Sequence, residues 1–520
     1  MNIAALEQAV NDLPLTYPGP GGAVAVVKDG VPIVRHGWGF ANLETRQPFT
    51  TATVTPICSI TKQFTCATLL SVAASPYDYD SLIAGQLPRL EGDMPITLDL
   101  ANNQSGLRDY WAVSVLCGAS PEGEFRPSDA VALIGLTRSL HFKPGTAYSY
   151  SNGNFRMLAS AIERKAGREF GEVLTEMIIE PVGMATASFE PESGAVPGGA
   201  CGYEGTLTTG WRPGVNNIHW SGDAGLCASI DDLVAWERFI YRTREDTEGL
   251  YAKLSQPTYF ANGAPASYGL GLAKQSRWGR EMTGHGGALR GWRLQRIWVP
   301  AERLSVDVVF NHESDSYCAA MHLLAVAMGE NDQAEPSHPI LAKKFEGAWI
   351  DRETGLLLDV LVDPTGTLNA RYTGGGEVLS VREDGVAHGV DMTLQLGPGG
   401  VRIIRRGDAI NSLAVPVIGA SNNSHDIAGI YWSAELESEL EVKCAGSSWF
   451  ACFNGFLGSG PLMSLSRAGT DIWRLACQRS LDAPSPGEWT MQIERSVKGK
   501  VVGVTFGCWL ARKIAFGKTA

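Results

Sequence analysis

The apolar positions first alternate, then take a helical period, then alternate again. Residues 23–27 and 31–35 are Val/Ile/Ala-rich runs split by Lys28-Asp29-Gly30, which predicts a β-hairpin whose turn needs positive φ at Gly30. Helical periodicity follows over residues 62–73, 129–136, 155–165 (ending before Gly167) and 170–179, where Pro181 is expected to stop the helix. Residues 294–299 and 304–310 flank Pro300-Ala301-Glu302-Arg303 as a second hairpin. Strands at both ends with helices between predict an α+β domain whose terminal segments share one antiparallel sheet.

After an Ala/Leu-rich segment at residues 321–328, the stretch 329–339 carries Asn, Asp, Glu and two prolines and is expected to be a linker. Beyond it, short alternating runs such as 356–362 and 401–405 are divided by Gly, Asp and Pro, as in antiparallel β units. A polar stretch at 419–426 separates two such regions, which open alike: Phe345-Glu346-Gly347-Ala348-Trp349 and Ile427-Ala428-Gly429-Ile430-Tyr431. A shared apolar-x-Gly-x-aromatic opening suggests a duplicated barrel, in which Gly lets the entering strand bend and the aromatic plugs the interior. The expected division is 1–332, 340–418 and 424–520, and a chain of 520 residues is too long for one ordinary core.

Composition narrows the partners. With 44% hydrophobic and 19% charged residues the chain should fold throughout, and its net charge of −12 comes from scattered acids, which disfavours nucleic acid and anionic membranes. The N-terminus has no basic, apolar leader and no window approaches the ~18 apolar residues of a membrane span, so a soluble, cytoplasmic protein is expected. The ten cysteines are dispersed without a C-x-x-C pair, which leaves zinc and redox motifs unsupported and predicts buried thiols. Cys58 is read as a packed small hydrophobe.

Three clusters carry candidate chemistry. Ser59-Ile60-Thr61-Lys62 stands where a strand-like stretch gives way to a helix, so Ser59 and Lys62 share one helical face a turn apart. A lysine desolvated beside a serine can share its proton, and the helix start offers N–H groups to an oxyanion. Tyr150 and Asn152 form a Tyr-x-Asn in the turn-rich Tyr148-Ser149-Tyr150-Ser151-Asn152; the phenol could relay the proton and the amide could bind the lysine and a substrate carbonyl. Gly284-His285-Gly286-Gly287, before Ala288, lets a backbone approach substrate closely and adds a titratable donor or acceptor. Each is weak alone: a capping serine, a structural tyrosine and an exposed histidine are the bland alternatives.

In this order, Ser59-x-x-Lys62, Tyr150-x-Asn152 and His285-x-Gly287 resemble the motifs of the penicillin-binding proteins, class C β-lactamases and related esterases and peptidases. Gln104-Ser105-Gly106-Leu107 and Pro181-Val182-Gly183-Met184 agree with segments of that family, and the likeness covers residues 15–330. It implies a penicillin-recognising catalytic domain of antiparallel sheet and helices. It also implies an acyl-serine reaction with Ser59, Lys62, Tyr150 and His285 catalytic, and Asn152, Gly287 and Ala288 in substrate binding, without metal or organic cofactor.

His rather than Lys at position 285 departs from the β-lactamase form. The domain plan resembles the D-aminopeptidase branch of the family, as do Pro18-Gly19-Pro20-Gly21-Gly22 and Val26-Val27-Lys28-Asp29-Gly30. That branch implies release of N-terminal D-amino acids from small peptides, amides and esters, β-lactams as candidate inhibitors, and a homodimer. It further implies two added barrels, with a loop of the last reaching the active site; the matching segment is 477–487, where Asp482 would pair with the substrate's α-amine. A D,D-carboxypeptidase, a carboxylesterase or a non-catalytic peptidoglycan-sensing module are the competing readings.

Overall fold

The computed structural model describes residues 1–331, 337–372, 375–419, 425–477 and 488–519. Strands β1 (Gly21–Lys28) and β2 (Val31–Asn42) form the first hairpin, with Asp29 and Gly30 both at positive φ. The strands β3 (Arg280–Leu289), β4 (Trp292–Val299) and β5 (Leu304–Phe310) complete the middle of an eight-stranded antiparallel sheet. Because β5 pairs with β1, the two ends of the catalytic region meet in one sheet, as the alternating runs predict.

The period-2 alternation of β1 feeds two cores. Val24 and Val26 face Leu6, Val10 and Leu13 of helix α1 (Ile3–Thr16), together with Leu323 and Leu324 of a C-terminal helix, Ser316–Met328. Ala23, Ala25 and Val27 face the opposite layer, which holds helices α2 (Thr61–Val72), α3 (Tyr110–Leu116) and α4 (Asn152–Ala166). A strand buried on both faces needs apolar residues at every position, which is why this segment reads as an unbroken Ala/Val run.

One helix end differs from expectation. Phe170–Leu174 runs through a wide π-type turn at Thr175–Ile179 into Glu180–Val182, so Pro181 lies inside the helical segment. The widened turn shifts the hydrogen bonding, with Glu180 N–H donating to Thr175 O, and gives the ring a place without a lost bond.

Past residue 340, eight strands from Gly347–Asp351 to Ile410–Pro416 close a barrel. A second antiparallel sheet runs from Gly429–Ser433 to Ala511–Lys518 and closes through the pairing of Ser438–Ala445 with Ser448–Gly455. The two openings are built alike. Gly347 (φ 138°) and Gly429 (φ 142°) each follow a short 3-10 turn. The aromatic then donates back four residues: Trp349 Nε1–H to Phe345 O at 2.9 Å, and Tyr431 O–H to Ile427 O at 2.6 Å. The first barrel has its own core, whereas the interior of the second is continuous with that of the catalytic region.

The cysteines are free thiols, and the expectation that they are buried holds for Cys58, Cys66, Cys117, Cys227 and Cys508 but fails for Cys318, which is exposed on a helix flank. No helix among the described residues is long and apolar enough to cross a membrane.

Candidate active site

Ser59 sits in a single 3-10 turn, Cys58–Ile60, that leads into α2. Cys58 holds φ 52°, a left-handed conformation that costs a non-glycine residue about 1–2 kcal/mol. The turn is held there by its surroundings: Cys58 is fully buried, its thiol donates to Pro56 O at 3.5 Å, and Ile57 N–H donates to Leu226 O. This packed thiol is the small hydrophobe that the sequence suggests.

Lys62, one helical turn on, is completely buried, and its Nζ lies 3.0 Å from Ser59 Oγ, 2.8 Å from Asn152 Oδ1 and 2.7 Å from Asp223 O. The ammonium also stands 4.9 Å from the centre of the Tyr150 ring. Burial lowers its pKa to about 8, against the opposing pull of Asp223 and Asp109. Tyr150 shares a hydrogen bond with Ser59, yet burial carries its phenol well above the ordinary value.

Asn152 is fixed from behind. It is the first residue of α4, and its backbone N–H donates to Asp109 Oδ2. Asp109 caps α3 by accepting from Ala112 N–H, and burial pushes its carboxyl up to about 6. Asn103 Oδ1 accepts from Ser151 N–H and Asn154 Nδ2, while Ser105 Oγ donates to Asn154 Oδ1, so the Gln104-Ser105-Gly106 segment braces the start of α4.

His285 and Gly287 lie on β3, which runs against the nucleophile turn. A Cβ added at Gly287 would stand 2.7 Å from Ile57 O and 3.1 Å from Cys58 Cβ, so only glycine allows this approach. His285 Nδ1 is 2.5 Å from the carbonyl of Gly286, which can only accept; Nε2 is therefore the acceptor for Tyr268 O–H at 2.9 Å. Burial and the charge of Lys62 lower the imidazole to about 3, so it is neutral at physiological pH.

These residues line one cavity of about 640 Å³. Ser59, Tyr150, Asn152, His285, Gly287 and Ala288 all border it, and Trp111, Trp220 and Leu510 add an apolar wall. The charged side chains among its described lining are Arg293, paired with Glu313 at 3.3 Å, and Asp315, with the Lys62 ammonium beneath Ser59. Asp482, expected from the sequence to reach this cavity, lies outside the described residues.

Sequence reasoning missed Asp109, Tyr110, Asp223 and Tyr268. Tyr110 O–H donates to Asp223 Oδ2 at 2.6 Å, and Asp223 Oδ1 accepts from Ser221 N–H, which shapes the loop whose carbonyl holds Lys62. Asp109 alone had a signal, a capping residue before the apolar run Tyr110-Trp111-Ala112-Val113.

A family model described as Beta-lactamase matches residues 4–327, and one described as D-aminopeptidase, domain B, matches residues 340–517. A D-aminopeptidase of Brucella canis is 44% identical over 519 residues, covering 99% of each chain. The D-aminopeptidase of Brucella anthropi is 45% identical over 515 residues, 99% of this chain and 98% of the relative. Among solved structures, the octameric penicillin-binding protein homologue from Pyrococcus abyssi aligns with a TM-score of 0.55 at 21% identity, covering 80% of this chain and 100% of that one. A D-stereospecific amidohydrolase from Streptomyces sp. aligns with a TM-score of 0.51 at 21% identity, over 64% of this chain and 100% of the other. The structural likenesses establish the fold alone.

Proposed function

Since the chain belongs to the β-lactamase-like family and, within it, to the D-aminopeptidases, we propose that it releases N-terminal D-amino acids from small peptides, amides and esters through an acyl-serine on Ser59. The observation that carries this reading is the triple coordination of Lys62. Two of its N–H groups are taken by Asn152 Oδ1 and Asp223 O, so a neutral amine turns its lone pair to the remaining neighbour, Ser59 Oγ.

With the Lys62 pKa near 8, a minor but useful fraction is neutral at pH 7, whereas the Tyr150 phenol stays protonated. Lys62 therefore serves as the base for Ser59, and Tyr150 relays to the departing amine the proton that Lys62 took up, so that both end the step as they began. As Ser59 Oγ bonds to the substrate carbonyl carbon, its proton passes to Lys62. The tetrahedral oxyanion is held by the N–H groups of Ser59 and Ala288, and its collapse expels the amine. Water then attacks the ester by the reverse proton path, releasing the D-amino acid and restoring Ser59. Asn152 Nδ2 is left to orient the substrate, and neutral His285 fixes β3 and the phenol of Tyr268 beside the cavity.

The carboxylates Glu313 and Asp315 on the cavity border offer partners to a substrate ammonium, which supports an aminopeptidase over a carboxypeptidase. Asp482 is proposed as a further partner of that ammonium. The units 1–332, 340–418 and 424–520, a cytoplasmic location and a homodimer belong to the same proposal. The test compares D- and L-alanine p-nitroanilide, each with a free and an acetylated amine. The expected result is turnover of the free D compound, at least about a hundredfold loss on inverting the stereocentre or acetylating the amine, and loss of turnover in Ser59→Ala. Preferred turnover of acetylated compounds would overturn the aminopeptidase reading.

A further inference from the structure

The last hairpin of the second barrel joins β6 (Val501–Cys508) to β7 (Ala511–Lys518) through the two-residue turn Trp509-Leu510. Hairpin turns are ordinarily polar, yet both of these residues are large and apolar. The hairpin is fastened to the catalytic region through backbone carbonyls of the turn and of the start of β7. Asp109 N–H donates to Leu510 O at 3.0 Å, Ser149 Oγ to Trp509 O at 3.5 Å, and Arg108 to Arg512 O and Lys513 O at 2.7 and 3.3 Å. The Trp509 ring is flanked by Arg512 at 4.9 Å and by Arg405 of the first barrel at 5.1 Å.

Leu510 packs against the core shared by the barrel and the catalytic region and borders the cavity together with Trp111 and Trp220. The donors have a second role. Asp109 also accepts from the N–H of Asn152, and Ser149 precedes Tyr150, so the turn is tied to the segments that place two members of the site.

We propose that Leu510 is a specificity-determining residue supplied by the C-terminal barrel: it walls the Asn152 side of the cavity and limits the bulk of the acyl residue that Ser59 can accept. The proposal rests on Ser59 as the acyl-accepting nucleophile. An amide oriented by Asn152 Nδ2 brings the acyl group toward Trp111 and Leu510, while Glu313, Asp315 and Tyr317 border the cavity from the β5 end and the helix after it. Shortening Leu510 removes three carbons from that wall and leaves the carbonyl brace intact.

The experiment measures kcat/KM for D-alanine and D-phenylalanine p-nitroanilide in the full-length wild-type, Leu510→Ala and Leu510→Trp proteins, with thermal unfolding as a check on folding. Leu510→Ala is expected to raise the phenylalanine-to-alanine ratio about tenfold, chiefly through KM, and Leu510→Trp to lower it by a similar factor. Folded variants whose ratio stays within about twofold of wild type, or that move it in the same direction, would overturn the proposal. The same ratio is read with p-nitrophenyl acetate and hexanoate, which carry neither amine nor stereocentre. If wild type cleaves these esters but no D-anilide, the aminopeptidase reading fails, while the ester ratio still decides the role of Leu510.

Discussion

Lys62 illustrates how one buried side chain can be both satisfied and reactive. All three protons of its cationic form have acceptors, so desolvation rather than missing partners lowers its pKa to about 8. With an ester that has no titrating amine, kcat/KM is expected to rise with pH and level off above an apparent pKa near 8. A limb near 6 would instead implicate Asp109, and His285 at about 3 cannot supply one. At Gly287 the constraint is steric. Gly287→Ala must displace β3 from the nucleophile turn, and a loss of about a hundredfold in kcat/KM with native-like secondary structure is the expected result. The motif residues were legible because their chemistry resides in side chains at fixed spacing. Asp223 was not, because what it offers Lys62 is a backbone carbonyl, which no residue type announces.

Among elements, the sheet and the repeated barrels were readable for different reasons. Hairpins declare themselves locally, by alternation around Lys28-Asp29-Gly30 and around Pro300-Ala301-Glu302-Arg303, and β1 has to pair across the fold because both its faces are buried. The barrel openings declare themselves by repetition, and the structure gives the repeat a cause: each aromatic closes a hydrogen bond to the carbonyl four residues earlier. Tyr431→Phe keeps the plug and deletes that bond, so denaturant unfolding should register a loss of about 1 kcal/mol. Helix α1 was overlooked although Leu6, Ala9, Val10 and Leu13 follow the helical period, since its exposed residues include Ile3 and Leu15, which blur the amphipathic contrast. The docking of the Trp509-Leu510 turn lay beyond any local pattern, because its partners are some 360–400 residues away in the chain.

At the scale of the whole molecule, the shared core of the catalytic region and second barrel means that the two should unfold together, with the separately cored first barrel free to differ. Buried neutral histidines add an acid sensitivity. Burial lowers His312 to about 4 and His285 to about 3, with His141 also well below its ordinary value. In the unfolded chain these rings take up protons near 6.5, so below that pH the unfolded state holds more protons and stability falls as pH drops toward 4. The urea midpoint should therefore be lower at pH 5 than at pH 7.5, and His312→Gln should remove about 2 kcal/mol of that difference.

The central claim, a D-acyl group carried on Ser59, is tested most directly by quenching the enzyme during turnover of a D-alanine ester and locating the adduct by tandem mass spectrometry. A D-alanyl group on Ser59 is the expected finding. Rapid turnover with no adduct, or an adduct on the neighbouring Cys58, would contradict it.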